Sequence, residues 1–233
     1  MSTVIFPLFH CYVGKTINMI QIESLVFNSF QVNTYLVWDD THECLVVDPA
    51  FYDETEVKVF DQTLLDKGLK LVGQINTHCH VDHVLGVRYI KSKYGFPLRA
   101  HREESPIVAN VPLMGDMFGL SVEPIEGIDE FLEEHSQIMV GNHVLEALHV
   151  PGHSRGSLAY YSKEGGFVIT GDALFQGSIG RTDLPGGDYD QLINSIRSKL
   201  LVLPPETKVF AGHGPSSSIL NEISENPFLN MAE

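Results

Sequence analysis

The chain is predicted to fold as an α/β (α+β) protein in which two sheets pack face to face with helices on the outside. Three observations point there. Strand-like runs come in two sets, one before about residue 100 and one after about residue 130, and each has helical stretches attached, as in layered sheet-and-helix domains. Hydrophobic residues make up 43% of the 233 and charged residues 19%, which is enough apolar material for an interior and too little charge for disorder. No internal repeat or low-complexity segment divides the chain. One domain is therefore expected over residues 19–233, preceded by an N-terminal extension at 1–18.

The elements follow in order. Residues 21–27 and 33–38 read as strands with a turn at 28–30. Residues 44–47 form a β-branched run that stops at Asp48-Pro49. Val57, Phe60, Leu64 and Leu65 recur at helical spacing, predicting a helix over 54–67 that Gly68 ends. Residues 69–76 form a strand leading into Thr77-His-Cys-His-Val-Asp-His83, and 84–94 form a helix closed by Gly95. A short strand at 98–100 precedes a helical stretch at 102–120 that Pro106, Pro112 and Gly115 interrupt. Two strands, 130–140 and 143–150, meet at a Gly141-Asn142 turn. A hairpin of 157–162 and 167–170, a helix at 189–201 and a last strand at 208–211 complete the pattern.

Composition excludes several partners. The net charge of -15, with no Lys/Arg cluster, repels nucleic acid and anionic membrane surfaces. No apolar run reaches the roughly 20 residues of a membrane helix. Three cysteines, Cys11, Cys44 and Cys79, make no disulfide framework, so a reducing cytoplasm is expected. Met1 to Asn18 lacks the basic start and small-residue cleavage site of a signal peptide, and Met19 is an alternative start.

The sharpest feature is His78-x-His80-x-Asp82-His83, three imidazoles and a carboxylate within six residues just after a predicted strand. In extended chain, residues i and i+2 point the same way, so His78 and His80 can grip one ion while Asp82 and His83 face a neighbouring point. Imidazole and carboxylate suit zinc, iron or manganese. Three more candidates stand beside glycines at strand ends: His153 in Pro-Gly-His-Ser, Asp172 in Gly-Asp-Ala and His213 in Gly-His-Gly-Pro. Glycine there permits the tight turn that lifts the next side chain into a cleft. Cys79 alternates away from its neighbours and reads as a core residue. His10, His42, His101, His135, His143 and His149 lack ligand spacing, with His101 nearest to a cleft-lining position. Arg155 is a candidate for holding a substrate carboxylate. Arg181 and Asp183 read as an ion pair that holds a loop.

The ordered set THCHVDH, PGHS, GDALF and GHGP resembles the metallo-β-lactamase superfamily, with the likeness running from about Gln21 to the end. Within it the chain is similar to short glyoxalase II-like hydrolases, to which GRTDLPGGD at 180–188 and Asn226-Pro-Phe-Leu229 add support. The resemblance implies a four-layer αββα sandwich of two mixed β-sheets with helices on the outer faces. It also implies two divalent metal ions, zinc first and iron or manganese as alternatives. One would sit on His78, His80 and His153, the other on Asp82, His83 and His213, with Asp172 bridging. Two departures stand out. Ser154-Arg155 replaces the usual Thr-Pro, and only 20 residues follow His213, leaving no place for the glutathione-binding helical domain.

The expected reaction is hydrolysis of a thioester such as a hydroxyacyl-glutathione by a metal-activated bridging hydroxide, with water acidified from a pKa of about 15.7 to about 7. Asp82 and Asp172 are the catalytic carboxylates. Two dications less Asp82, Asp172 and hydroxide leave roughly +1, which favours an anionic acyl-thiol as the small-molecule substrate. Hydrolysis of another ester or lactone uses the same groups. A mononuclear-iron persulfide dioxygenase on His78, His153 and Asp172 is the oxidative alternative.

Overall fold

The computed structural model describes residues 19–230, so the readings of residues 1–18 lie outside the described residues. In chain order it contains β1 Gln21–Phe27, β2 Val32–Trp38, β3 Glu43–Val47, α1 Glu54–Asp66, β4 Lys70–Ile75, α2 Val87–Tyr94 and β5 Arg99–Ala100. Then come α3 Ser105–Ala109, α4 Val111–Met117, β6 Glu130–Phe131, β7 Gln137–Val140, β8 His143–His149, β9 Leu158–Ser162 and β10 Phe167–Gly171. The chain continues through β11 Leu174–Phe175, β12 Ser178–Ile179, α5 Tyr189–Ser195, β13 Lys208–Ala211, β14 Ser217–Ser218 and α6 Ile219–Glu225.

Two mixed sheets dominate. The first runs β1-β2-β3-β4 and the second β14-β13-β10-β9-β8-β7. Their pairings are antiparallel except β3 with β4 and β10 with β13, and each parallel pair is joined through a helical crossover. Strand alternation explains why these become inner layers. Tyr35 and Val37 of β2, Leu45 and Val47 of β3, and Ile75 point between the sheets onto Leu158, Tyr160, Phe167 and Ile169. The intervening Leu36, Trp38, Cys44 and Val46 point outward onto Phe60 and Leu64 of α1 and Ile90 of α2. On the far side Ala159, Val168 and Val209 meet Leu192 and Ile193 of α5. Strands buried on both faces read as continuous apolar runs, and covering both outer faces with helices gives the four-layer αββα sandwich.

Several boundaries differ from expectation. The strand expected over 130–140 is two pieces, because Glu133 to Ser136 form a turn with His135 at φ 65°, and β6 pairs with β5 instead. Val81–His83 is a 3-10 turn ahead of α2. The helix at 189–201 widens into a π-turn at Ile196–Leu200. Helix α6 follows Ser218, whose hydroxyl accepts the Asn221 N–H. No helix among the described residues is long and apolar enough to cross a membrane.

The sandwich positions the candidate site through strand direction. Loops after β3, β4, β10 and β13 all leave the carboxyl ends of parallel-paired strands, so they collect at one edge. They carry Asp48, residues 77–83, Asp172 and His213; the loop after β8 adds His153. The edge is sewn across the sheets by Asn33 Nδ2, which donates to the Ala211 and Gly214 carbonyls at 3.0 and 2.9 Å.

Candidate metal centre

The structure brings all seven residues proposed from spacing to that edge. His153 Nε2 lies 2.9 Å from His80 Nδ1 and 3.3 Å from His78 Nε2. On the other side His83 Nε2 and His213 Nε2 are 3.3 Å apart, with Asp82 Oδ2 at 3.8 and 3.5 Å from them. Asp172 stands between: Oδ2 is 3.7 Å from His153 Nε2 and 3.5 Å from His213 Nε2, and Oδ1 is 3.4 Å from His83 Nε2. Within each of the trios His78/His80/His153 and Asp82/His83/His213, one ligand atom per residue lies within 4.8 Å of the others. Asp48, His78 and His83 satisfy the same limit.

The outer nitrogens show what the inner ones are for. Nδ1 of His153 donates to the Arg181 carbonyl at 2.8 Å, and Nδ1 of His213 donates to the Phe30 carbonyl at 2.9 Å. A carbonyl only accepts, so each Nδ1 carries a proton and Nε2 is the atom left facing the cluster, a bare lone pair whenever the ring is neutral. His83 Nδ1 lies 3.1 Å from Asp48 Oδ2, and His78 Nδ1 lies 3.1 Å from the Thr77 hydroxyl, which itself donates to Asp48 Oδ2 at 2.7 Å. Asp48 also accepts the Thr77 N–H at 2.7 Å, so its oxygens are engaged as supports. Imidazoles held from behind, with lone pairs turned toward one another, are an arrangement a cation satisfies. The buried Oδ1 of Asp172 has no hydrogen-bond partner and faces the same space. The donor set therefore fits two dications of zinc, iron or manganese type.

Electrostatics divide the trios. Burial drives the pKa of His78 well below the ordinary imidazole value, and neighbouring His83, His80 and His153 push the same way. Burial and then His153 lower His80 to about 3, and burial lowers His153 despite Asp172. Burial also opposes charge on His83 and His213, but Asp172 and Asp82 outweigh it, raising His83 well above its usual range and His213 to about 9. Burial would raise both carboxyls, yet His83 foremost holds Asp172 well below the usual carboxylate range and Asp82 below it too.

Close packing fixes the loops. A methyl group on Gly212 would run into the Asp172 carboxylate and the His83 ring. Gly152 adopts φ 133° against the Leu192 backbone, a conformation and a clearance that only glycine meets. Cys79 is fully buried among Val81, Val84 and Leu98, where its alternation put it.

A cavity of about 230 Å³ opens onto the cluster. His80, Asp82, His153, Asp172 and His213 line it, with Phe30, Val81, Met114, Phe118 and Leu184 as an apolar wall and Arg181 at the rim. Phe30 and Phe118 meet edge to face at 5.2 Å. Arg155 is exposed and lines an adjacent groove with Glu103, Ile107 and Pro185. Arg181 makes the expected ion pair with Asp183, at 2.7 and 2.8 Å. His101 is buried and stacks on His149 at 4.3 Å, away from the cavity lining. Asp48, Glu104 and the aromatic wall were not singled out from sequence; Asp48 was visible only as a strand-ending Asp-Pro.

The sequence profile of the metallo-β-lactamase superfamily matches residues 28–213. A probable metallo-hydrolase, YqgX of Bacillus subtilis, is 39% identical over 201 residues, covering 86% of this chain and 93% of its own. The hydroxyacylglutathione hydrolase GloC of Haemophilus influenzae is 36% identical over 216 residues, covering 90% and 98%. Among solved structures, the B3 metallo-β-lactamase BLEG-1 superposes with a TM-score of 0.83 at 31% identity, covering 90% of this chain and 100% of that one. The protein TTHA1623, solved in a di-iron-bound form, gives 0.79 at 36% identity, covering 89% and 100%.

Proposed function

The chain belongs to the metallo-β-lactamase superfamily, and from that premise we propose that it is a metal-dependent hydrolase cleaving the thioester of an anionic acyl-thiol, of which a hydroxyacyl-glutathione is the first candidate. Asp172 carries the reading. A carboxylate 3.4 to 3.7 Å from imidazoles of both trios, with one oxygen unpartnered, suits a bridge between two cations. Bound there, two dications supply an acidified water and a Lewis acid for the carbonyl.

The chain's own groups do the rest. His78, His80 and His153 form an uncharged face toward the carbonyl, and Asp172 fixes its distance from the second trio. Asp82, whose Oδ2 lies 3.8 and 3.5 Å from the Nε2 atoms of His83 and His213, is the carboxylate that would accept the proton of the attacking water. The wall of Phe30, Met114, Phe118 and Leu184 excludes bulk water and takes the acyl side. At about 230 Å³ the cavity is below the roughly 300–1,000 Å³ of pockets that bury a whole drug-sized ligand, so the thiol half extends over the rim past Arg181. The name of the Haemophilus relative supports the thioester.

Protein purified without chelating resin is expected to release thiol from lactoylglutathione, lose that activity to a chelator and regain it with zinc. No release from a metal-loaded sample removes the glutathione thioester and turns the search to other acyl-thiols, esters and lactones. One observation favours a second reading, a mononuclear-iron persulfide dioxygenase. His78, His153 and Asp172 form a two-His-one-carboxylate set inside the cluster, and a similar protein binds iron. Oxygen uptake with glutathione persulfide by iron-loaded protein separates the two.

A further inference from the structure

We propose that Glu104 is a positioning residue that sets the geometry of His78, His80 and His153 by clamping the two loops that carry them; this rests on those three residues holding one cation. Glu104 ends the 3-10 turn Arg102–Glu104 that follows β5 and is completely buried. Its Oε2 accepts the Cys79 N–H at 2.7 Å, on the peptide between His78 and His80. Its Oε1 accepts the Ser154 hydroxyl at 2.7 Å and the Gly156 N–H at 2.8 Å, in the loop after β8 that carries His153. One carboxyl thus spans two loops that are otherwise far apart in sequence, its three partners lying 25, 50 and 52 residues from Glu104 itself.

Burying a carboxyl without need is costly, because desolvation penalises its charged form and raises its pKa. A core at that position could be filled by a leucine or methionine at no such cost. What an apolar residue cannot do is accept three donors whose positions fix two backbones at once. The fit is tight as well, since a Cβ at Gly156 would lie 2.8 Å from the Glu104 side chain. Ser154 belongs to the same device. Its hydroxyl lies within 2.7 Å of both Glu104 and Ser157, so the residue after His153 is tied to the clamp rather than to solvent. The Asp82, His83 and His213 trio makes no hydrogen bond to Glu104 among the described residues, and this makes the effect selective.

The test is stepwise zinc affinity of the full-length protein by chelator competition, with the cobalt(II) absorption spectrum and the unfolding midpoint of the metal-free chain measured alongside. Wild-type protein is expected to take up two zinc ions. In Glu104→Gln one of the carboxylate acceptors becomes an amide N–H₂ facing a donor. One of the two affinities should fall about 10- to 100-fold, the range for losing a group that orients a ligand, while the other is retained. The cobalt(II) bands should change to match. Should that variant fail to fold, Ser154→Ala removes a single donor, leaves the backbone bonds, and should weaken the same affinity by a smaller factor. Parallel weakening of both sites, or two unchanged affinities in a folded variant, would overturn the clamp. Wild-type protein that takes up no zinc, iron or manganese would overturn the metal reading beneath it.

Discussion

The two halves of the candidate centre are built on opposite principles. The His78, His80 and His153 half is made of neutral nitrogen donors, driven toward neutrality by burial. The Asp82, His83 and His213 half mixes a carboxylate with imidazoles, and with no cation bound Asp172 and Asp82 raise the pKa of both His83 and His213. Their supports differ in the same way. Glu104 never touches a ring in the first half and grips its backbone. Asp48 reaches the His83 ring of the second half directly. The difference bears on Asp172, whose carboxylate lies 3.4 to 3.7 Å from imidazoles of both halves. The nitrogen half brings no negative charge, so a dication seated there depends on the carboxylate between the halves.

Asp172→Ala is the largest blow, because it strikes both halves together. Turnover should fall by more than the roughly 100-fold that marks loss of an orienting group, and metal content should drop below two per chain by elemental analysis. Full activity with two metals would end the idea of a shared bridge. Gly152→Ala strikes the nitrogen half alone through its loop, forcing a φ of 133° and a collision with Leu192; it should lose about 3 kcal/mol in denaturant unfolding. Asp48→Asn touches the His83 ring directly and His78 only through Thr77, so the zinc affinity that Glu104→Gln spares should weaken most, about 10- to 100-fold, and the other by less. If Asp48→Asn and Glu104→Gln weakened the same site most, the division into halves would be wrong. Phe118→Ala leaves both halves alone. It should raise KM for apolar acyl-thiols about 3- to 10-fold with kcat nearly unchanged, as expected for a half-exposed apolar contact.

The strands and the seven side chains were legible because each rests on a local rule. Short apolar runs marked β2, β9 and β10, the close spacing of His78, His80, Asp82 and His83 marked the first loop, and a glycine beside a lone histidine or aspartate marked the other three. What stayed hidden depends on partners distant in sequence. Glu104 sits in an Arg-Glu-Glu run that reads as surface, and only the folding of Cys79 and Gly156 onto it makes it a core residue. Asp48 reads as a strand stop until His83 arrives from 35 residues away. The stretch 130–140 misled because Leu132, Ile138 and Val140 keep an apolar pattern through a turn that His135 closes. Arg155 was singled out for its position two residues after His153, but the loop turns it into the neighbouring groove.

The stitching of β2 to β13 carries a consequence for how the molecule comes together. His213 donates to the Phe30 carbonyl, and the Tyr35 hydroxyl donates to the Ala211 carbonyl, across 183 and 176 residues. Contacts that close so long a loop form late, since the entropy of closure is lost before they reward it. A chain emerging from the ribosome thus carries six of the seven polar side chains before the seventh exists, and the second half of the centre is the last thing finished. A cation that binds only the finished edge then acts as a latch on β13, stabilising the closed sheet in proportion to the logarithm of its concentration.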